Sequence, residues 1–250
     1  MSTAFKMAVD DDAIRKNPFS FRVSDVVSNN TKKVKALTEA ETTSFLEFLL
    51  SNKCGRKHYD EIVILLQTGL RVSELCGLII SDIDFKEHRI CVERQLQKEQ
   101  AKGCKVYIEE PKTESGKRFI PMTMEVEQAF RNVLGKRPTV PIEIMIDGYT
   151  GFVFLDREGK PATASHFEDA MKRLVDKYNQ NHSKPIEATP HVLRHTFCTN
   201  LKRACVPLKE AQYLMGHSDA GTTLNVYTDS GYEDAKEALK KAFVLGQVGT

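Results

Sequence analysis

Residues 82–122 differ in hydrophobic pattern from the rest of the chain. Within them, apolar and polar residues alternate in three short runs, at residues 89–92, 105–108 and 118–121. Alternation with a period of two is typical of strands, so these runs predict a small antiparallel sheet, with a tight turn at residues 114–116 between the last two strands. The segments on either side have apolar residues at helical spacing. The expected fold is therefore mainly α with a small antiparallel β-sheet inserted, in the α+β class.

Capping signals indicate where the flanking helices begin and end. Thr38 and Glu41 form a capping-box pattern at the start of one helix, and Gly69 is the expected left-handed end of the next. A Thr-Pro pair at residues 189–190 predicts a further helix start, because proline is favoured in the first turn. Gly216 is the expected end of a later helix.

The first part of the chain has a different organisation from the remainder. Residues 3–16 have a short helical pattern that ends before Pro18, because the residue that precedes proline disfavours helix. Residues 19–36 have little periodic apolar character, which is typical of a linker. One helix cannot form a domain, so we expect residues 1–36 to be the end of a truncated N-terminal domain and residues 37–250 to be the main domain.

Composition excludes some classes of protein. Apolar residues make up 41% and charged residues 28% of the chain, which is ordinary for a soluble globular protein. No apolar run approaches the roughly 20 residues of a membrane span, and the N-terminus lacks a secretory signal pattern. The six cysteines show no Cys-x-x-Cys or zinc-ligand spacing, so we expect reduced thiols in the cytosol and no metal. The net charge of +2 selects no partner, and local excesses of Lys and Arg would suit either DNA or a solvated face.

Two arginines have positions from which they could bind a phosphate. His191 and Arg194 are three residues apart near a predicted helix start, so they project from the same face, where exposed backbone N–H groups favour an anion. Arg71 follows the turn at Gly69. It could pair with Glu74 at helical spacing, or it could bind one phosphate together with Arg194, since a guanidinium offers paired donors. The plainer alternative is a set of solvent-facing or ion-paired side chains.

Tyr227 and His217 form a second candidate pair. Most tyrosines in helices are half-buried packing residues, and this chain has seven tyrosines. His217, however, directly follows the helix-ending Gly216 and precedes Tyr227 by ten residues. The two side chains can therefore lie in the same cleft.

Four short segments, taken together, resemble one protein family. In order along the chain they are T-G-L-R-V-S-E-L at 68–75, H-x-L-R-H-T at 191–196, L-M-G-H-S at 214–218 and N-x-Y at 225–227. Their order and separations resemble the tyrosine recombinase (phage integrase) family, and the resemblance covers residues 38–230. Residues 111–121 also resemble the strand pair that carries the family's catalytic lysine. The sequence of this segment, together with that of residues 82–85, is most similar to integrases of conjugative transposons.

The resemblance implies a set of site residues and an activity. Residues 37–250 would be a tyrosine recombinase catalytic domain with a C-terminal helix, and residues 1–36 the last helix and linker of a core-binding domain. The implied enzyme cleaves and rejoins DNA strands through a 3′-phosphotyrosyl intermediate, without metal, ATP or another cofactor. Lys112 is preferred as the catalytic lysine to Lys117, which lies past the turn. The implied catalytic residues are Arg71, Lys112, His191, Arg194, His217 and Tyr227, with Glu74 orienting Arg71.

The resemblance also implies partners and a location. We expect double-stranded DNA as the substrate, a homo-oligomer of two to four chains on DNA docked through a helix at residues 232–244, and no membrane. An amphipathic helix packed on its own domain is the alternative for residues 232–244. The implied location is the bacterial cytoplasm, at the nucleoid, and the implied role is excision and integration of a mobile element.

Three other functions are compatible with parts of the pattern. A type IB topoisomerase has similar chemistry but relaxes supercoils without exchanging strands. A non-catalytic DNA-binding accessory protein could keep the fold, although binding alone requires neither Tyr227 nor Lys112. A phosphatase-like enzyme for small molecules would need a small closed pocket.

Overall fold

The computed structural model of the chain describes residues 2–17, 35–99, 105–111, 117–216 and 227. The chain divides into two units, Met1–Val34 and Lys35–Thr250. The assignment of the first unit to the end of a core-binding domain stays a prediction, and most of the predicted linker lies outside the described residues.

Within the first unit, helix α1 spans Ser2–Asp10. The predicted helix over residues 3–16 was therefore too long. Asp12 has a left-handed backbone with φ of 54°, and a run of aspartates at this end opposes the negative end of the helix dipole. Both features end the helix early.

The second unit is mainly helical, and its core surrounds one helix. Its seven α-helices among the described residues are α2 (Glu39–Ser51), α3 (Gly55–Thr68), α4 (Val72–Gly77), α5 (Met124–Lys136), α6 (Ala164–Asn181), α7 (Pro190–Arg203) and α8 (Leu208–Met215). Helix α3 packs against α2, α5 and α7, and five consecutive residues of α3, from Ile62 to Leu66, are buried. A run buried on every side is typical of the centre of a domain, so this part of α3 lies in the core. Among the described residues, no helix is long and apolar enough to cross a membrane.

The predicted capping signals are confirmed by hydrogen bonds. The Thr38 hydroxyl accepts from the Glu41 N–H at 3.2 Å, and the Glu41 carboxylate accepts from the Thr38 N–H at 2.8 Å. The Thr189 hydroxyl accepts from the Val192 N–H at 3.2 Å at the start of α7. Helix α3 ends at Gly69 with φ of 63°, so the chain reverses direction just before Arg71.

The antiparallel strands lie in two small sheets. Strands β1 (Ile83–Asp84), β2 (Arg89–Val92) and β5 (Arg118–Pro121) form one sheet in the order β1-β2-β5. Strands β3 (Gln95–Lys98) and β4 (Val106–Glu109) pair with each other in the second. The predicted small antiparallel β component is thus confirmed, and all three predicted strands exist.

The predicted strand pairing was wrong. The sequence pattern joined the last two strands into one hairpin, whereas β5 pairs with β2 and β4 pairs with β3. Strand β3 has the sequence Gln-Leu-Gln-Lys, in which Leu96 is the one buried residue, so it gives almost no periodic signal. The turn predicted at residues 114–116 lies outside the described residues.

Candidate active site

Glu74 lies at the centre of a cluster of arginines. Arg71 has an extended backbone directly before α4, and Glu74 lies three residues later in the first turn of α4. This spacing turns the carboxylate back onto Arg71, so Glu74 accepts from the Arg71 N–H at 2.8 Å and from its guanidinium, also at 2.8 Å. The predicted pairing of Arg71 with Glu74 is therefore present in the fold.

Arg194 reaches the same cluster from helix α7. Its Nη1 donates to the carbonyl of Gly69 at 2.5 Å and lies 3.9 Å from the Glu74 carboxylate. Arg194 is buried, whereas the side chain of Arg71 is 40% exposed. The left-handed turn at Gly69 thus presents its carbonyl to Arg194 while it directs the chain towards Arg71.

Arg118 is a third arginine of the cluster, and sequence reasoning did not select it. Two of its nitrogens donate to the two oxygens of Glu74, at 3.1 and 2.9 Å, and its Nε donates to the Leu214 carbonyl at 2.9 Å. The sequence did contain a signal for it. In a strand, alternate residues share a face, so Arg118 must lie on the same buried face of β5 as Ile120.

The three arginines bind three successive carbonyls at the end of helix α8. Arg118 donates to Leu214, Arg194 to Met215 and Arg71 to Gly216. The last carbonyls of a helix lack partners within it and carry partial negative charge, so cations are stabilised there. The segment that leads directly into residue 217 is therefore held by the same side chains that form the cluster.

Gly216 is required by this close approach. It has a left-handed φ of 60°, and a Cβ at this position would lie 2.6 Å from Nη1 of Arg118. Glycine avoids both the backbone strain and the clash. Two separate structural features, the left-handed φ and the close contact with Arg118, thus favour glycine at this position of the L-M-G-H-S segment.

The cluster carries an excess of positive charge. Burial acts to raise the pKa of Glu74, but the hydrogen bonds and positive charge of Arg118, with the charges of Arg194 and Arg71, lower it to about 2. Burial lowers the pKa of Arg194 to about 9, and the neighbouring arginines contribute to the decrease. At neutral pH Glu74 is therefore ionised and Arg194 is protonated. Three guanidinium groups against one carboxylate leave a surplus of positive charge that favours an anion.

The structure brings some of the predicted site residues together, whereas others are exposed or lie outside the described residues. Arg71, Glu74 and Arg194 come together, as described above. His191 is exposed in the first turn of α7, three residues before Arg194. Lys112 and His217 lie outside the described residues, and the alternative lysine, Lys117, is exposed just before β5.

Tyr227 is half-buried, and its hydroxyl donates to the carbonyl of Val206 at 3.1 Å. Burial raises the pKa of this phenol above its ordinary value. In this state the hydroxyl is bound to backbone between helices α7 and α8, and its role as a nucleophile stays a prediction.

The fold places this chain among the tyrosine recombinase catalytic domains. The model of the phage integrase family matches residues 35–234, which is most of the chain. The chain belongs to that family, as its sequence motifs predicted.

Two curated relatives illustrate the similarity. The transposase from transposon Tn916 of Enterococcus faecalis is 42% identical over 242 residues, which cover 96% of this chain and 59% of the relative. A XerC-like tyrosine recombinase of Caldanaerobacter subterraneus subsp. tengcongensis is 32% identical, over 91% of this chain and 60% of the relative. The chain therefore spans about three fifths of the length of these relatives.

Solved structures give the same class. A Tn1549 transposon integrase in complex with transposon right end DNA has a TM-score of 0.86 and 46% identity, covering 96% of this chain and 76% of that chain. XerA recombinase has a TM-score of 0.61 and 26% identity, covering 83% of this chain and 65% of that chain. The predicted likeness to integrases of conjugative transposons is confirmed by these comparisons.

Proposed function

We propose that this protein is a site-specific DNA recombinase that excises and integrates a mobile element by cleaving and rejoining DNA strands. The observation that carries the proposal is the convergence of Arg71 and Arg194 on Glu74 and on adjacent carbonyls of residues 215 and 216. Two guanidinium groups at one place can bind the oxygens of one backbone phosphate from two directions. The similarity to transposon integrases and Xer recombinases supports the same activity.

In the proposed reaction, the phenol oxygen of Tyr227 attacks the scissile phosphorus. A bond forms between this oxygen and phosphorus, the bond from phosphorus to the 5′ oxygen breaks, and the product is a 3′-phosphotyrosine. The phenol proton passes to a neutral imidazole, for which His191 and His217 are the candidates, and Lys112 donates a proton to the leaving oxygen. Rejoining reverses these steps and needs no ATP, because the phosphotyrosyl bond keeps the energy of the broken bond.

Fixed positive charge is the main contribution of the arginine cluster to this reaction. Negative charge accumulates on the phosphate oxygens in the transition state, and guanidinium groups that are already oriented stabilise it without rearrangement. Arg71 and Arg194 would supply the charge that a divalent cation supplies in other phosphoryl-transfer enzymes. The proposed mechanism therefore requires neither metal nor nucleotide.

Tyr227 has to leave its present hydrogen bond before it can react. Its hydroxyl donates to the Val206 carbonyl, and burial makes the phenol less acidic than usual. Arrival of the phosphate would have to be accompanied by movement of the segment that carries Tyr227. The proposed enzyme is thus unreactive until DNA is bound.

The proposed partners are double-stranded DNA and further copies of this chain. Strand exchange between two duplexes requires four cleavages, so a tetramer built from dimers on DNA fits the activity. Docking of residues 232–244 onto a neighbouring copy stays a prediction, because these residues lie outside the described part of the chain. A bacterial cytoplasmic location at the nucleoid would follow from DNA as the substrate.

A covalent-adduct assay tests the proposal. The chain is incubated with a nicked duplex that carries the joined ends of its mobile element, and a denaturing gel separates the protein–DNA adduct. The adduct should form with the wild-type chain, disappear in Tyr227→Phe and persist in Tyr107→Phe, a control tyrosine that is 36% exposed on β4. An adduct that persists in Tyr227→Phe would place the nucleophile elsewhere.

A second readout separates recombination from relaxation. A plasmid with two copies of the joined ends should yield recombinant circles with the wild-type chain. Relaxed plasmid without recombinants would instead support a type IB topoisomerase, and DNA binding without any adduct would support a non-catalytic accessory protein.

A further inference from the structure

Arg118 cannot bind the phosphate directly in this fold. Its side chain is fully buried, whereas that of Arg71 is 40% exposed. Each of its three guanidinium nitrogens donates a hydrogen bond within the protein, two to Glu74 and one to the Leu214 carbonyl. A role for Arg118 in the reaction would therefore have to act through its neighbours.

The first neighbour is Glu74. A carboxylate beside Arg71 and Arg194 competes with a phosphate for their donors, because both groups offer anionic oxygens that accept paired N–H donors. Arg118 donates to both oxygens of Glu74 and balances its charge. The positive charges of Arg71 and Arg194 then remain available to an incoming anion.

The second neighbour is the end of helix α8. Arg118 donates to the Leu214 carbonyl, and a Cβ at residue 216 would lie 2.6 Å from Nη1 of Arg118, so the two residues pack closely. A further hydrogen bond, from the Phe119 N–H to the Tyr213 hydroxyl at 3.0 Å, joins the same strand to the same helix. Strand β5 therefore fixes the carbonyls that Arg194 and Arg71 bind.

We propose that Arg118 is a positioning residue for DNA cleavage, which balances the charge of Glu74 and holds the end of α8 so that Arg71 and Arg194 face the scissile phosphate. This inference rests on the proposed recombinase function. It predicts that loss of Arg118 slows formation of the covalent adduct more than it weakens binding of DNA, since Arg118 touches neither DNA nor the reacting atoms.

The test uses Arg118→Lys with a matched control. Lysine keeps the charge, but its compact ammonium lacks the planar fork whose three nitrogens bind both oxygens of Glu74 and the Leu214 carbonyl. The control is Arg94→Lys, because Arg94 is also buried and pairs with a buried carboxylate, Asp82, at 2.5 Å. Circular dichroism gives the folded fraction of each variant, and adduct formation on the nicked duplex is measured per folded molecule.

Arg118→Lys should form the adduct about 100-fold more slowly than the wild type, because misplacing catalytic groups by about 1 Å can cost that much in rate. Its affinity for the duplex, measured by gel shift in a Tyr227→Phe background, should equal that of Tyr227→Phe alone. Arg94→Lys should form the adduct at the wild-type rate per folded molecule. Cleavage by Arg118→Lys at the wild-type rate, or equal slowing of the two lysine variants, would overturn the inference.

A second pair of variants tests the charge argument. Arg118→Met leaves Glu74 unbalanced, so Glu74 should withhold Arg71 and Arg194 from the phosphate and cleavage should be slower than in Arg118→Lys. Adding Glu74→Gln removes the excess negative charge and should partly restore the rate per folded molecule, a gain that a purely structural role does not predict. No gain in the double variant would contradict the inference. Absence of an adduct with the wild-type chain would reject the recombinase function itself, and with it this role of Arg118.

Discussion

Replacement of Glu74 by glutamine should destabilise the fold in a way that depends on pH. Glu74 is buried, and its carboxylate accepts hydrogen bonds from Arg118 and Arg71 and lies 3.9 Å from Arg194. In Glu74→Gln one of the two oxygens becomes an N–H₂ group, which faces guanidinium donors instead of accepting from them. The buried guanidinium groups also lose their counter-charge.

The magnitude follows from the pKa of Glu74 and the burial of the cluster. The folded state lowers this pKa from 4.5 to about 2, a change that corresponds to about 3 kcal/mol in favour of the ionised form. Loss of one partner from a buried ion pair costs about 3–5 kcal/mol. We therefore expect Glu74→Gln to lower the free energy of unfolding by about 3–5 kcal/mol at neutral pH.

The sign of the pH dependence follows from the direction of the shift. Because the folded pKa is below the unfolded value, the stabilisation by Glu74 is fully present above pH 4.5 and is lost as the pH falls towards about 2. The difference between wild type and Glu74→Gln should therefore be constant near neutral pH and shrink below pH 4.5. Other carboxylates titrate in both proteins, so their contributions cancel in the difference.

Urea denaturation followed by circular dichroism, repeated at several pH values, measures this difference. Glu158→Gln is the matched control, because Glu158 pairs with Lys160 on the surface, where its side chain is 70% exposed. An exposed pair of this kind contributes about 0–1 kcal/mol. A loss below about 1 kcal/mol in Glu74→Gln, or a difference that does not change with pH, would refute the assigned role of Glu74 as the counter-charge of the cluster.

Two further predictions concern the end of α8 and the lysine proposed to donate a proton to the leaving oxygen. Gly216→Ala should lower the free energy of unfolding by about 1–2 kcal/mol through backbone strain alone, and by more through its clash with Arg118. Urea denaturation should therefore show a larger loss than in the control Gly151→Ala, because Gly151 also has a positive φ but no atom near its Cβ. Equal losses in the two variants would argue against the close contact with Arg118. Lys112→Ala should abolish the adduct on the ordinary duplex and recover it on a duplex with a bridging 5′ sulfur, because a thiolate leaves without a proton. The control variant Lys117→Ala should form the adduct on both duplexes. If the bridging sulfur instead restored the adduct in Lys117→Ala and not in Lys112→Ala, Lys117 would be the proton donor.

Capping signals in the sequence predicted several helix ends correctly, although the end of the first helix was wrong. The capping box at Thr38 and the helix start at Thr189-Pro190 depend on contacts between residues three or four positions apart. Gly69 has a left-handed backbone conformation that few other residues adopt. The family motifs around Arg71 and Arg194 were also recognisable, because each of these arginines lies beside such a local signal. Arg71 follows the Gly69 turn, and Arg194 lies in the first turns of α7.

Features that depend on distant partners were not predicted. The strands were found, but their pairing depends on β3, whose polar sequence carries almost no pattern. Arg118 was missed as a member of the cluster for a similar reason. Its partners, Glu74 and Leu214, are 44 and 96 residues away in the chain, and a charged residue at the start of a strand is ordinarily assigned to the surface.

The arginine cluster has a consequence for synthesis of the protein. Its members come from three separate parts of the chain, after α3, at the start of β5 and within α7, and their shared carbonyls come from a fourth, at the end of α8. A nascent chain on the ribosome, or a proteolytic fragment that ends before residue 214, lacks part of this assembly. Such incomplete polypeptides should lack the proposed cleavage activity, which is expected only once residues up to 216 have been made and folded together.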